Sequence, residues 1–155
     1  MTRHAAARQL PVIDASRLLP RLYIGSAPAS ANAVHAAGFR TLALCAIEIQ
    51  PPAQALEGLR VLRCPITDDG SRPMPDEDWI RAVHTAQQVA LLVRNDEPVL
   101  VTCAQGRNRS GIVCALALHF LYGWRGGECV RYVQMRRKGA LGNERFVEKL
   151  VRKLG

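Results

Sequence analysis

Aromatic side chains are scarce in this 155-residue chain: two Trp, three Tyr and three Phe make up 5% of it. A surface that stacks single-stranded bases interleaves aromatics with basic residues, and no such interleaving is present. Long apolar runs are missing as well. No stretch approaches the ~18 residues that a membrane-spanning helix needs. Met1 to Leu10 (MTRHAAARQL) is polar, with Arg3 and Arg8 where a secretory signal would carry its apolar region. Paired cysteine motifs are the third absence. Cys45, Cys64, Cys103, Cys114 and Cys129 are odd in number, form no CxxC, and share no zinc-type spacing with His. With no secretory signal, that pattern points to reduced thiols in a cytoplasmic compartment.

What is present is a globular composition, 48% apolar, in a length that suits one domain. The expected organisation is a flexible tail over residues 1–10 and a single domain over 11–155, with no repeat or linker inside it. The net charge is +8, and 18 of the 21 basic residues are Arg. Such a field favours anionic partners, whether phosphorylated substrates, nucleic acid or acidic lipid; a merely solvated Arg-rich surface is the plainer explanation.

Periodicity places the elements. Leu22 to Gly25, Thr41 to Ile47, Leu59 to Ile66 and Val99 to Thr102 read as short strands, the second being apolar almost throughout, as for a strand covered on both faces. Helices are expected from Pro28 to Ala37, Pro75 to Arg94, Ser110 to Tyr122, Gly127 to Lys138 and Asn143 to Leu154. In the second of these, Trp79, Ile80, Val83, Ala86, Ala90 and Leu91 share one face, while Asp76, Glu77 and Asp78 complement the macrodipole in the first turn. The Ser110 to Tyr122 segment is apolar nearly all round, so it should run through the centre, with His119 a satisfied core histidine. Alternating strands and helices imply an α/β three-layer sandwich with a small, mostly parallel central sheet flanked by helices.

The segment that carries chemistry is Val99-Leu100-Val101-Thr102-Cys103-Ala104-Gln105-Gly106-Arg107-Asn108-Arg109-Ser110-Gly111: buried strand, compact loop, buried helix. A helix N-terminus offers unpaired N–H groups and partial positive charge. A tight loop around it can turn further amides inward as a nest. Arg109 adds a planar fork that holds two oxygens of a tetrahedral anion. A cysteine on the floor of that site feels the same field, which stabilises its thiolate. Nucleophile and oxyanion cradle in one loop imply phosphoryl transfer to sulfur, then hydrolysis. No metal or organic cofactor is required, because the amides and Arg109 supply the charge.

These residues resemble the Cys-x5-Arg-Ser/Thr signature of the protein tyrosine phosphatase superfamily, most nearly its small dual-specificity branch. The likeness extends to Leu22-Tyr23-Ile24-Gly25-Ser26, to Pro65-Ile66-Thr67-Asp68, and to Asn143 with Phe146 and Leu150. It implies that Cys103 attacks phosphorus, and that Arg109 with the amides of Ala104, Gln105, Gly106, Arg107, Asn108 and Arg109 binds the phosphate oxygens. It further implies that Ser110 assists departure of the sulfur and that Asp68 is the general acid, with Asp69 its rival; Asn143 would brace the loop. The family commonly has His before the cysteine, where it helps orient the loop and lower the thiol pKa. Thr102 stands there in this chain, which implies weaker but surviving activation.

The implied substrates are phosphorylated proteins, with phosphotyrosine first and phosphoserine or phosphothreonine beside it. Arg107-Asn108-Arg109-Ser110-Gly111 also resembles the variant found in RNA 5′-triphosphatases of the same fold, which keeps RNA or a phosphoinositide open as a substrate. A non-catalytic phosphate-binding module is the reading outside enzymes.

Overall fold

The computed structural model describes residues 13–155. The expected tail over 1–10 lies outside the described residues. Five strands form one sheet: β1 (Ala15–Leu19), β2 (Leu22–Ser26), β3 (Thr41–Ala46), β4 (Arg60–Ile66) and β5 (Val99–Cys103). Their order is β1-β2-β5-β3-β4, antiparallel between β1 and β2 and parallel elsewhere. The helices are α1 (Ala31–Ala36), α2 (Asp76–Arg94), α3 (Arg109–Tyr122), α4 (Gly126–Arg136) and α5 (Glu144–Leu154), with a short 3-10 turn at Ala53–Leu56.

The two faces of the sheet bury separate apolar layers, because successive side chains on a strand point opposite ways. Leu42, Leu44 and Leu100 pack with Val34, Phe39 and Leu56 under α1 and the 3-10 turn. Ala43, Cys45, Val99, Val101 and Cys103 face the larger core formed with the helices that follow. The three-layer α/β sandwich expected from the sequence is the architecture observed. No helix among the described residues is long and apolar enough to cross a membrane.

β5 lies between β2 and β3 at the middle of the sheet and is buried at every residue. α3 follows it directly and is buried from Arg109 through Leu118, matching its apolar character on all sides. It packs against α2, α4 and α5. Gly123 closes the helix in the left-handed conformation at φ 72°, its N–H bonded to the His119 carbonyl. The His119 ring is satisfied at Nδ1 by the Trp124 carbonyl at 2.7 Å.

Two expectations need correction. α1 is shorter than the Pro28–Ala37 span, since Ser30 accepts from the Ala33 N–H and caps a helix that starts at Ala31. The apolar face read for α2 is rotated: Ile80 and Leu91 are 53% and 57% exposed, while Asp78, Ala82, Thr85, Ala86, Val89 and Ala90 are buried. The face α2 turns to the core is lined largely by small side chains, and the larger apolar Ile80 and Leu91 are left at the surface. The strand β1 was not anticipated; only Leu18 and Leu19 of it are buried.

Candidate active site

The site is built where β5 ends and α3 begins. Cys103 is the last residue of the strand and Arg109 the first of the helix, so both are fixed by regular structure and only 104–108 are loop. Gly106 adopts φ 68°, a conformation that L side chains enter at a cost of roughly 1–2 kcal/mol. A Cβ there would lie 2.4 Å from the Gly25 carbonyl oxygen. The loop is therefore pressed against β2 at Gly25, with no room for a side chain at Gly106.

A helix ordinarily covers its first amides with an N-cap side chain. Asn108 holds that position, yet its side chain makes no capping bond. Its Oδ1 accepts from the Asn143 N–H at 2.9 Å and its Nδ2 donates to Asp68 Oδ2 at 3.0 Å. The first-turn amides of α3 are thereby left uncovered by it, which is the arrangement that binds anions.

Cys103 is buried, and its Sγ lies 3.2 Å from the Ser110 hydroxyl. Burial is the largest single influence on this thiol and acts to raise its pKa. The Ser110 hydroxyl and the N–H groups of Ser110, Arg107 and Gly106 together outweigh it, and the pKa falls below the ordinary value. The contrast with other cysteines is sharp. Burial pushes Cys129 up to about 11 and Cys114 higher still, while a hydrogen bond with Cys64, then burial, raises Cys45.

Two arginines serve the loop from opposite sides. Arg109, buried, donates from Nη1 and Nη2 to the Glu48 carboxylate at 2.5 and 2.7 Å, and from Nη1 to the Ile66 carbonyl at 3.2 Å. The Glu48 carboxyl is held down at about 2, chiefly by that hydrogen bonding to Arg109. Arg137, also buried, reaches the loop from outside: Nε donates to the Gly106 carbonyl at 3.0 Å and Nη2 to the Gln105 carbonyl at 2.9 Å. Asp14 holds the far side of that guanidinium at 2.8 and 2.9 Å.

The remaining sequence candidates fall around this centre. Asp68 accepts from both Asn108 and Asn143, the latter at 2.7 Å, which keeps it against the phosphate loop. Asp69 is turned to Ser71 and Arg72; its bonds to the Ser71 hydroxyl and amide lower its carboxyl to about 2. Asn143 caps α5 through Oδ1 while its own N–H meets Asn108. The Thr102 hydroxyl donates to the Ala43 carbonyl at 3.0 Å, so it ties β5 to β3 and makes no bond to the loop. Ala104 and Gln105 line a cleft of about 380 Å³ beside the loop, with Ser16, Ser26, Arg107, Arg137 and Lys138.

Sequence reasoning missed Glu48, Arg137 and Asp78. The last had been assigned only to the helix dipole; it is buried, and its Oδ2 accepts from the Thr67 N–H at 3.2 Å and hydroxyl at 3.0 Å, anchoring the turn that carries Asp68. Lys149 pairs with Asp76 at 2.6 Å on the neighbouring turn.

A mostly parallel five-stranded sheet whose central strand delivers a cysteine into a helix N-terminus defines the cysteine-dependent phosphatase fold. The chain is 33% identical over 105 residues to Dual specificity phosphatase 28 from Mus musculus, a match covering 66% of this chain and 61% of that protein's length. The crystal structure of human DUSP28 superposes with a TM-score of 0.74 at 27% identity, covering 93% of this chain and 95% of that one. A mouse putative dual specificity phosphatase complexed with zinc tungstate gives 0.69 at 26% identity, covering 92% and 89%. No protein-family model matches the chain. The chain is thus similar, in sequence and in fold, to small dual-specificity phosphatases of the cysteine-dependent protein tyrosine phosphatase superfamily, and it spans about three fifths of the curated relative's length.

Two outcomes follow for the loop. Gly106→Ala should destabilise the fold by roughly 1–3 kcal/mol in urea denaturation, as a strained backbone and a displaced β2 contact require. Wild-type stability in that variant would show the loop to be pliable. Alkylation of Cys103 by iodoacetamide should titrate below the ordinary thiol value of about 8.5. An apparent pKa at or above that value would mean that burial prevails over the amides.

Proposed function

We propose that the chain is a phosphatase that hydrolyses phosphomonoesters through a cysteinyl-phosphate on Cys103. The observation that carries this reading is a buried sulfur at the end of β5, 3.2 Å from the Ser110 hydroxyl and facing the start of the helix whose first residue is Arg109. The sulfur attacks phosphorus, an S–P bond forms, and the ester P–O bond breaks. The departing oxygen takes a proton from Asp68. Water then attacks phosphorus and yields its proton to Asp68 as the S–P bond breaks, and Ser110 hydrogen-bonds the sulfur that leaves as thiolate. Arg109 and the amides of 104–109 hold the equatorial oxygens throughout. Asp69 is a poor candidate for this step, because its carboxylate is committed to Ser71 and Arg72, whereas Asp68 is held against the loop by Asn108 and Asn143.

Phosphorylated proteins are the proposed substrates, phosphotyrosine foremost and phosphoserine or phosphothreonine with it. A relative that binds tungstate, a tetrahedral oxyanion, agrees with this chemistry. Five unpaired, buried cysteines support a reducing, cytoplasmic compartment. The basic cleft with Arg107 and Lys138 favours a second reading, in which the substrate is a 5′-triphosphorylated RNA or a phosphoinositide with another anionic group beside the scissile phosphate.

Cys103→Ser should abolish hydrolysis of an aryl phosphate. Asp68→Asn should lower kcat roughly 10²- to 10⁴-fold on esters of poor leaving groups and much less on p-nitrophenyl phosphate. Unchanged turnover by Cys103→Ser would remove the catalytic reading in favour of a binding module. Comparing a phosphotyrosine peptide with a 5′-triphosphorylated RNA and a phosphoinositide separates the substrate classes: higher kcat/KM on the peptide is expected, and the reverse order would transfer the assignment.

A further inference from the structure

The cleft of about 380 Å³ beside the phosphate loop gathers three cations, Arg107, Arg137 and Lys138. On charge alone it would hold a second phosphate of a substrate whose first phosphate lies over Cys103. The hydrogen bonds of Arg137 work against this. A guanidinium carries five N–H groups. In Arg137 the Nε–H goes to the Gly106 carbonyl and one Nη2 hydrogen to the Gln105 carbonyl. The other Nη2 hydrogen and one of Nη1 meet the two Asp14 carboxylate oxygens at 2.8 and 2.9 Å. The last Nη1 hydrogen meets the Ser16 hydroxyl at 3.2 Å, so all five are engaged. The one buried cation of the cleft is spent, and the edge of its fork turned away from the loop already holds a carboxylate.

Asp14 is fixed there by its backbone as well. Its carbonyl accepts the Ser26 N–H at 3.0 Å, at the end of β2 that lies level with Cys103. Its side chain is 64% exposed, so a negative charge meets the solvent of the cleft. Hydrogen bonding to Arg137 holds the Asp14 carboxyl below its ordinary value, and the charge persists at neutral pH. Arg107 and Lys138 remain, both exposed, and exposed cations grip an anion weakly. We propose that Asp14 is a specificity-determining residue: it fills the Arg137 fork and sets a negative charge in the cleft, favouring substrates with one phosphate over those with a second phosphate nearby. The inference rests on the phosphatase reading of Cys103 and narrows its substrates to singly phosphorylated sites. Discrimination comes from repulsion and a partner already taken, not from added grip on the favoured substrate. An Asp14 that only braced Arg137 behind the loop would affect both substrate classes alike. The ratio between them separates the two roles.

The test uses the whole chain and compares kcat/KM for two substrates. One is a phosphotyrosine peptide; the other is the same peptide with a phosphonate, an uncleavable phosphate mimic, one to three residues away. Wild type should turn the two over within roughly threefold of each other, as two exposed cations allow. Asp14→Asn should raise the ratio of doubly to singly charged substrate roughly tenfold, since it frees a buried guanidinium edge and removes the repelling charge. Asp14→Glu keeps the charge and should return the ratio toward wild type. In ~1 M salt, where the Debye length is about 3 Å, the gain in Asp14→Asn should shrink. A ratio unchanged or lowered in Asp14→Asn would overturn the role of Asp14 and leave the phosphatase reading intact. So would a wild-type preference of roughly tenfold or more for the phosphonate peptide, a measurement that needs no variant. Wild type that turns over neither peptide would end the phosphatase reading, and this inference with it.

Discussion

The structure turns on the orientation of two peptide units. In a trans peptide the C=O and the following N–H point in opposite directions. Arg137 takes the Gln105 and Gly106 carbonyls, which belong to the same peptide units as the Gly106 and Arg107 N–H groups. Those are two of the three amides that lower the Cys103 pKa. A cation outside the loop therefore turns two dipoles inward, toward the buried sulfur. The positive φ of Gly106 is what lets consecutive carbonyls reach the same guanidinium. Asp14 balances Arg137 on its outer side, and the resulting ion pair also ties the segment before β1 to the end of α4.

The same economy of shared groups holds Asp68. Asn108, Asn143 and Asp68 form a closed set: Asn143 N–H to Asn108, Asn108 amide to Asp68, Asn143 amide to Asp68. A residue of the phosphate loop, the cap of α5 and the carboxylate after β4 thus fix one another. Asp78 secures the other end of the Asp68 turn through Thr67, and Arg81 holds Asp78 at 3.0 Å from one helical turn away. Asp69 escapes this set because it closes its own local turn on Ser71. Neighbours in sequence, the two aspartates differ in what their side chains meet.

That contrast explains how much the sequence could disclose. Cys103, Arg109 and Ser110 were legible because strand, loop and helix are contiguous, and the chemistry depends on local spacing. The parallel sheet was legible from apolar runs such as Thr41 to Ala46, buried at every position. Glu48 and Arg137 were not. They reach the loop across 61 and 31 residues of chain, and nothing in the composition around them distinguishes them from other surface charges. α2 failed differently: Ile80 and Leu91 carry the apolar signal, but the face it buries is built on Ala82, Ala86 and Ala90. β1 offered too short a pattern, with an antiparallel partner only on one side.

Thr102, directly before the nucleophile candidate, bears on how the sulfur is activated. With its hydroxyl committed to the Ala43 carbonyl, it contributes no charge and no hydrogen bond to the loop. The depressed thiol pKa therefore arises without an imidazolium, from the Ser110 hydroxyl and three backbone amides acting against burial. Backbone dipoles do not titrate, so thiolate stabilisation of this kind does not fade as pH passes the histidine range. What a histidine would supply as a single charge is here distributed over the loop backbone, whose geometry is held by Gly106, Arg137 and the start of α3. Activation of Cys103 is in that sense a property of the fold around 104–110 and not of one neighbouring side chain.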